Sequence, residues 1–174
     1  MITVDDLRRI CPTANQKRME IFVGPLNTTM KEFDIAENVE RESAFLAQVA
    51  HESGGFYYVR EIASGEAYEG RKDLGNAEPG DGIRFKGRGL IQITGRANYR
   101  ECGAALGVDL IASPELLESP ALAARSAGWF WKDRGLNELA DYGNFTLITK
   151  RINGGTTGLS DRLAYLKRAQ EVLA

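Results

Sequence analysis

The sequence has little of the residue types on which several common enzyme mechanisms depend. It contains one histidine and two cysteines in 174 residues. No second histidine follows His51 one helical turn later, so the start of a zinc-peptidase motif is not completed. A glycine-flanked serine nucleophile is also absent, and a thiol enzyme would need Cys11 or Cys102 to reach His51. We therefore expect no metal site, no cofactor and no Ser-His or Cys-His chemistry.

The sequence also lacks long apolar runs and a marked excess of charge of either sign. No run approaches the roughly 20 apolar residues that a membrane-spanning helix needs, so no stable membrane insertion is expected. The net charge of -2 gives no reason to expect nucleic acid as a partner. A chain of this length fits one domain, and we predict a single catalytic domain over residues 1–174.

The first residues do not show the basic region and apolar stretch of a secretory signal peptide. We therefore expect synthesis in the cytoplasm. In a reducing compartment both cysteines would stay as thiols, and we interpret them as packing residues.

Helical signals dominate what is present. Thr3 to Asp6 resembles a capping box before a short helix, while Pro12 and Pro25 are predicted to divide the first 35 residues into short helical pieces. A longer helix is predicted from about Asn38 to Glu52, and a last one from about Ser160. The segment from Phe56 to Gly89 is rich in glycine and predicts a loop with a small hairpin. Long ordered loops are more often functional than idle.

The stretch AFLAQVAHESGGF, residues 44–56, places a carboxyl group where a buried helix ends. Glu52 follows Val49 by three residues and Phe45 by seven, which puts it on their helical face beside the core. Burial and the negative end of the helix dipole both favour a protonated carboxyl there. Glu52 is therefore a candidate proton donor, although a glutamate at a solvated helix end has the same sequence pattern.

Hydrolysis of a glycosidic bond needs a second carboxyl group. The loop after the glycines offers Glu61, Glu66 and Glu69, and their spacing alone does not choose among them.

Four stretches resemble glycoside hydrolase family 19, the chitinase-like group that includes phage endolysins with a lysozyme-like fold. They are AFLAQVAHESGGF, GRGLIQITGRANY, SAGWFW and the pair INGG and DRLAYLKR, in the family's order. The resemblance covers nearly all of residues 44 to 168. It implies a mainly α, lysozyme-like α+β fold with a small β-hairpin and loop region beside an active-site cleft.

The resemblance also implies roles for individual residues. Glu52 would be the general acid and Glu61 the base, with Glu66 or Glu69 as alternatives because only eight residues separate Glu52 from Glu61. The family's substrate-contact positions fall on Gln92, Thr94, Asn98, Asn153 and Arg162, and its supporting positions fall on His51 and Arg88. Arg162 would begin a helix, where a cation is poorly placed, so a carboxylate partner is expected. Trp129, Phe130 and Trp131 are expected to be core residues.

The expected reaction is inverting hydrolysis, in which Glu52 protonates the leaving oxygen while Glu61 activates a water, with the carboxyls roughly 6.5–9.5 Å apart. The favoured substrate is the β-1,4 bond between N-acetylmuramic acid and N-acetylglucosamine in peptidoglycan. A chitinase and a lytic transglycosylase are the enzymatic alternatives, and an inactive cell-wall-binding module is the alternative without catalysis.

An endolysin of this kind would be a monomer without a signal peptide. It would be made in the host cytoplasm and reach the periplasmic cell wall through a holin-type pore. Its partners would be peptidoglycan glycan strands.

Overall fold

The computed structural model describes all residues, 1–174, and the chain is mainly α-helical, as the sequence predicts. The α-helices are α1 (Val4–Ile10), α2 (Gln16–Glu32), α3 (Val39–Glu52), α4 (Asp81–Arg84), α5 (Arg96–Leu106), α6 (Pro120–Asp133), α7 (Leu136–Asp141), α8 (Phe145–Asn153) and α9 (Leu159–Leu173). Short 3-10 helices cover Ile35–Glu37, Glu66–Tyr68, Lys72–Leu74 and Pro114–Glu118. None of the helices is long and apolar enough to cross a membrane.

The N-terminal helices follow the sequence prediction with one correction. Thr3 and Asp6 form the expected capping box of α1. Pro12 lies between α1 and α2, but Pro25 lies inside α2 and does not end it. An interior proline removes one backbone hydrogen bond. The apolar face of α2, with Phe22 before the proline and Leu26 after it, is completely buried, and this packing keeps the helix continuous.

Helix α3 is the centre of the larger hydrophobic core. Asn38 caps it by accepting a hydrogen bond from the Arg41 N–H, and every residue from Ser43 to Ala50 is buried. Its most extensive neighbour is the C-terminal helix α9. Because α3 ends at Glu52 and α9 begins at Leu159, the packing of these two helices brings the C-terminal end of one beside the N-terminal end of the other. The site described below lies at this junction.

The predicted hairpin region forms no regular strands. Only isolated antiparallel bridges occur, between Arg60 and Arg88 and between Arg88 and Ile93. The rest of the segment is short helices and turns, and it packs on α5 and α6 through the smaller hydrophobic core that contains Phe85, Ile93 and Tyr99. A few backbone bonds and this core, instead of a sheet, shape the segment.

A largely buried ion pair joins this segment to α5. The Arg96 guanidinium donates Nε to Oδ2 and Nη2 to Oδ1 of Asp81, both at 2.8 Å. The Asp81 side chain is only 2% exposed, and its Oδ2 also accepts the Glu78 N–H at 3.0 Å. These bonds fix the start of α4 against the start of α5.

Both cysteines are buried and unpaired, in agreement with their interpretation as packing residues. Burial raises the pKa of the Cys11 thiol to about 12, and it does the same for Cys102. Neither thiol is a nucleophile near neutral pH.

Asp81→Asn should lower the free energy of unfolding by about 3 kcal/mol near neutral pH, because it leaves the mostly buried Arg96 charge with only the exposed Glu78 carboxylate, 3.0 Å from Nη2, as a partner. Hydrogen bonds from Arg96 hold the pKa of Asp81 below its ordinary value. The ionised side chain therefore stabilises the fold above the ordinary carboxyl pKa of about 3.9, and this stabilisation is lost as the pH falls through the lowered native value. Urea titrations of both proteins across the acid range measure the difference, which should shrink in acid.

Asp73→Asn is the matched control for this experiment. Asp73 accepts the same pair of donors from Arg71, at 3.1 and 2.6 Å, but it is 63% exposed. An exposed pair contributes about 0–1 kcal/mol. Equal losses in the two variants, or a loss at Asp81 that does not vary with pH, would contradict the assignment.

Candidate active site

The C-terminal end of α3 places Glu52 at the edge of the larger core. The Ser53 hydroxyl donates to the Val49 carbonyl at 2.6 Å and accepts the Phe56 N–H at 2.8 Å, which closes the helix. Gly54 and Gly55 then take φ angles of 59° and 71°. A side chain on Gly55 would lie 2.9 Å from the Ala14 side chain, so this turn needs glycine both for its conformation and for the approach of a neighbour.

Arg162 binds the Glu52 carboxyl from the protein interior. Its Nη2 lies 2.6 Å from Glu52 Oε1, and the Arg162 residue is 1% exposed. The contact is a close ion pair without the alignment of a hydrogen bond, and Oε1 is itself fully buried. The Glu52 side chain is nevertheless 23% exposed, so its other oxygen, Oε2, is the one that solvent or a ligand can reach.

Polar groups from two other parts of the chain hold the Arg162 guanidinium. Its Nη1 donates to Gln48 Oε1 at 2.6 Å, and its Nε donates to the Thr157 carbonyl at 3.1 Å. Gln48 in turn donates to the Thr149 hydroxyl at 2.8 Å. The expected carboxylate partner of Arg162 is therefore present. Because Arg162 is buried behind Glu52, it contacts the carboxyl group and not the surface open to a substrate.

This arrangement changes the electrostatic argument made from the sequence. The sequence places only the core and the helix dipole beside Glu52, whereas the structure adds a guanidinium 2.6 Å from Oε1. The cation was not placed beside Glu52 by the sequence pattern, since 110 residues separate the pair. When a proton leaves Oε2, Arg162 stabilises the carboxylate that remains.

A second polar pair lies beside the first. His51 Nδ1 is 2.6 Å from Asp161 Oδ2, so consecutive residues of α3 pair with consecutive residues of α9. The imidazole ring also packs directly on Gly158, where a Cβ atom would come within 2.6 Å of Nε2. His51 therefore connects α3 to the N-terminal end of α9, which fits the supporting role that the resemblance implies.

Glu61 is held by two donors. The Gly87 N–H donates to Oε1 at 2.5 Å, and the Tyr68 hydroxyl donates to Oε2 at 3.0 Å. The backbone N–H of Glu61 also donates to the Gly87 carbonyl at 2.9 Å. Burial, followed by the bond to Glu61, raises the pKa of Tyr68, which keeps the phenol neutral as a donor.

The two alternative glutamates are placed differently. Both carboxylate oxygens of Glu69 accept backbone N–H groups, from Gly80 and Gly82, each at 2.9 Å. Glu69 therefore organises the turn before α4. Glu66 is exposed in a 3-10 helix, and its carboxylate has no hydrogen-bond partner. Of the three glutamates, Glu61 alone is fixed by bonds to both a backbone amide and a side-chain hydroxyl.

Gln92, Thr94 and Asn98 line one small cavity together with Trp129, Phe130 and Arg134. The Gln92 amide packs against Gly87, where an added Cβ would lie 2.6 Å from Gln92 Oε1. Asn98 donates to the Thr94 carbonyl at 2.7 Å, which orients its amide. Because Gly87 is also the donor to Glu61, this cavity adjoins the candidate base. Three of the five predicted contact residues therefore lie together.

The remaining predicted residues lie apart from that cavity. Arg88 is 8% exposed and donates to Glu118 at 2.9 Å and to the Tyr99 hydroxyl at 3.0 Å, so it is a structural support. Asn153 ends α8 and is exposed. Trp131 is fully buried and Trp129 nearly so, as expected of core residues, whereas Phe130 is only partly buried and lines the cavity.

Three residues of the site were missed by the sequence analysis. Gln48, Tyr68 and Gly87 each contact a functional side chain. Gln48 carries a usable signal, because it precedes Glu52 by four residues on the same helical face. Tyr68 and Gly87 lie in irregular backbone and carry no periodic signal. No cluster of three or more His, Cys, Asp or Glu side chains is arranged to hold a metal ion.

Comparisons with known proteins identify the family of the chain. The family model described as chitinase class I, of glycoside hydrolase family 19, matches residues 8–139. A glycosyl hydrolase family 19 domain-containing protein of Haemophilus influenzae is 31% identical over 156 residues, covering 72% of this chain and 76% of the relative. An Arabidopsis thaliana endochitinase is 40% identical over 114 residues, covering 65% of this chain and only 39% of its own length.

Solved structures show the same fold. Chitinase C from Streptomyces griseus superposes with a TM-score of 0.80 at 22% identity, covering 99% of this chain and 76% of the other. A bacterial family 19 chitinase superposes with a TM-score of 0.82 at 22% identity, and the match covers 99% of this chain and 95% of the other.

Gly158→Ala should destabilise the protein more than Gly154→Ala. Both glycines have positive φ angles, 73° and 81°, so each substitution costs about 1–2 kcal/mol of backbone strain. At Gly158 the new methyl group also overlaps the His51 ring, which adds about 1–3 kcal/mol of overpacking, whereas nothing lies within 4 Å at Gly154. Thermal unfolding of the two variants measures the difference. Equal shifts would mean that His51 moves away without cost.

Proposed function

Because the chain belongs to glycoside hydrolase family 19, the chitinase class I family, we propose that it is a peptidoglycan-degrading endolysin. It hydrolyses the β-1,4 bond between N-acetylmuramic acid and N-acetylglucosamine with inversion. The observation that carries the chemistry is the contrast between two carboxyl groups, one paired with a buried guanidinium and one held by neutral donors.

Glu52 acts as the general acid through Oε2, the oxygen that is not bound by Arg162. As the proton passes to the leaving glycosidic oxygen, negative charge develops on the carboxyl group. The Arg162 guanidinium, 2.6 Å from Oε1, stabilises that charge. Gln48 and Thr157 keep the cation in position, so little reorganisation accompanies the step.

Glu61 acts as the base that activates the attacking water. Gly87 and Tyr68 each bind one of its oxygens, which fixes the plane of the carboxylate. Each oxygen accepts one hydrogen bond from these donors, so a lone pair remains on each oxygen for the water. Glu69 also accepts one hydrogen bond on each oxygen, but both donors are backbone amides of the turn before α4, so we assign this carboxylate to the fold.

The short connection between the two glutamates supports peptidoglycan as the substrate. Only eight residues separate Glu52 from Glu61. Within them Tyr57 is 59% exposed and Tyr58 is 44% exposed. A short wall with exposed side chains leaves room for the peptide branches of peptidoglycan, which chitin lacks.

Chitin is the second candidate, because the relatives with printed activities are endochitinases. A lytic transglycosylase needs only one glutamate that acts as acid and base, and it would leave the fixed Glu61 without a function. An inactive wall-binding module would leave the arrangements of both carboxyl groups without a function.

The proposed biological setting is host cell lysis by a bacteriophage. The enzyme would accumulate in the host cytoplasm as a monomer and act on the periplasmic wall after a holin-type pore opens. Its partners would be peptidoglycan glycan strands.

Glu52→Gln and Glu61→Gln should each lower the rate of wall lysis by about 10²–10⁴-fold, the usual contribution of a general acid or base. Turbidity loss of purified sacculi measures the rate, and Glu66→Gln is the matched control, with wild-type activity expected. Circular dichroism and thermal unfolding must show folded variants, since Glu52→Gln also leaves Arg162 without its countercharge. A Glu52→Gln protein that retains more than a few per cent of activity would refute the acid assignment.

The ends of the released muropeptides identify both the bond and the reaction. Mass spectrometry should find reducing N-acetylmuramic acid ends, as hydrolysis of the proposed bond requires. Anhydro ends would show a transglycosylase. Cleavage of chitin oligosaccharides without any muropeptide release would show a chitinase.

A further inference from the structure

Arg134 presents a guanidinium at the cavity that contains the predicted sugar-contact residues. It follows the last residue of α6, and its side chain is 44% exposed. The same cavity is lined by Gln92, Thr94 and Asn98. Amide, hydroxyl and guanidinium groups therefore meet at one opening.

This cavity adjoins Glu61 through Gly87. The Gln92 side chain packs on Gly87, and the Gly87 N–H donates to the Glu61 carboxylate at 2.5 Å. The Gln92 side chain therefore connects the surroundings of Glu61 to the cavity that Arg134 lines.

The Arg134 guanidinium has donors to spare. It donates no side-chain hydrogen bond, and the nearest carboxylate oxygen, Oδ2 of the exposed Asp133, is 3.5 Å from Nε. Its position is nevertheless defined, because it lies 4.8 Å from the centroid of the Phe130 ring. Arg88, Arg96 and Arg162 differ from it, since each is paired closely with a carboxylate.

A preoriented guanidinium with free donors at a sugar cavity is suited to bind a carboxylate, since its planar donors match the two oxygens. We propose that Arg134 is a specificity-determining residue that binds a carboxylate carried by the glycan. This inference rests on the proposed function. In peptidoglycan the carboxylate comes from the stem peptide or, where that peptide has been removed, from the lactyl group of N-acetylmuramic acid. A polymer of N-acetylglucosamine has none, so Arg134 selects acidic over neutral glycans.

Binding to a catalytically inactive protein tests the proposal independently of turnover. Calorimetry on Glu52→Gln, or on Glu61→Gln if the first does not fold, compares three ligands. These are glycan strands with stem peptides, strands stripped of peptides by an amidase so that the lactyl carboxylate is free, and a chitin tetramer. Introducing Arg134→Ala into the inactive variant should weaken its binding of at least one acidic ligand about tenfold. Its affinity for the neutral chitin tetramer should not change. Arg134→Lys should give an intermediate loss, and salt should reduce the difference.

Arg9→Ala is the matched control, because Arg9 is exposed on α1 and forms no ion pair. A loss confined to stripped strands assigns the lactyl carboxylate, and a loss confined to untreated strands assigns the stem peptide. Unchanged binding of both acidic ligands, an equal loss with the neutral tetramer, or the same loss in Arg9→Ala would overturn the proposal.

These outcomes are separate from failure of the proposed function. Muropeptide products of the wild-type enzyme decide which bond it cleaves, whereas the Arg134 comparison decides only whether a carboxylate is bound there. An enzyme that releases muramic acid ends while Arg134→Ala binds every ligand normally would retain the function and lose this inference.

Discussion

The ion pair between Glu52 and Arg162 is the constraint on which the rest of the structure depends. Burying a guanidinium carries a desolvation cost, which is offset only when its N–H groups have polar partners. Gln48, Thr157 and, through Gln48, Thr149 supply those neighbours, and they come from α3, α8 and the loop before α9. The packing of α3 on α9 is therefore specified by polar contacts as well as by apolar area. The same contacts leave one oxygen of Glu52 accessible, so the requirement for a stable interior and the requirement for a reactive group are met together.

The irregular segment after α3 is organised on a similar plan. It has no sheet to define it, so individual side chains substitute for strand pairing. The Glu69 carboxylate accepts hydrogen bonds from two backbone amides, and Asp81 accepts hydrogen bonds from Arg96. Glu61 accepts hydrogen bonds from Gly87 and Tyr68. Two of these carboxylates serve the fold and one is left in the candidate site. The stability of the loop and the orientation of Glu61 are therefore coupled, because Gly87 lies in the backbone that these contacts shape.

Helix limits could be predicted from local sequence, and the partners of the candidate acid could not. The start of α3 near Asn38, its end at Glu52 and the turn at the following glycines depend on neighbouring residues, and each is confirmed. The continuity of α2 through Pro25 depends on tertiary packing, which outweighs the local preference. The predicted small hairpin is reduced to isolated antiparallel bridges, because long-range polar contacts, invisible to a period-two pattern, take the place of longer strand pairing. Arg162 and Gln48 are 114 residues apart, so no local pattern joins them.

The position of His51 makes the protein convenient to observe. It is the single histidine of the chain, and it lies between Asp161 and Gly158 next to the candidate acid. In a proton NMR spectrum its imidazole signals would be free of overlap from any other histidine. A ligand that displaces Glu52, or a change in the packing of α3 on α9, would shift those signals. The molecule therefore carries a built-in spectroscopic reporter at its site, and no label needs to be introduced.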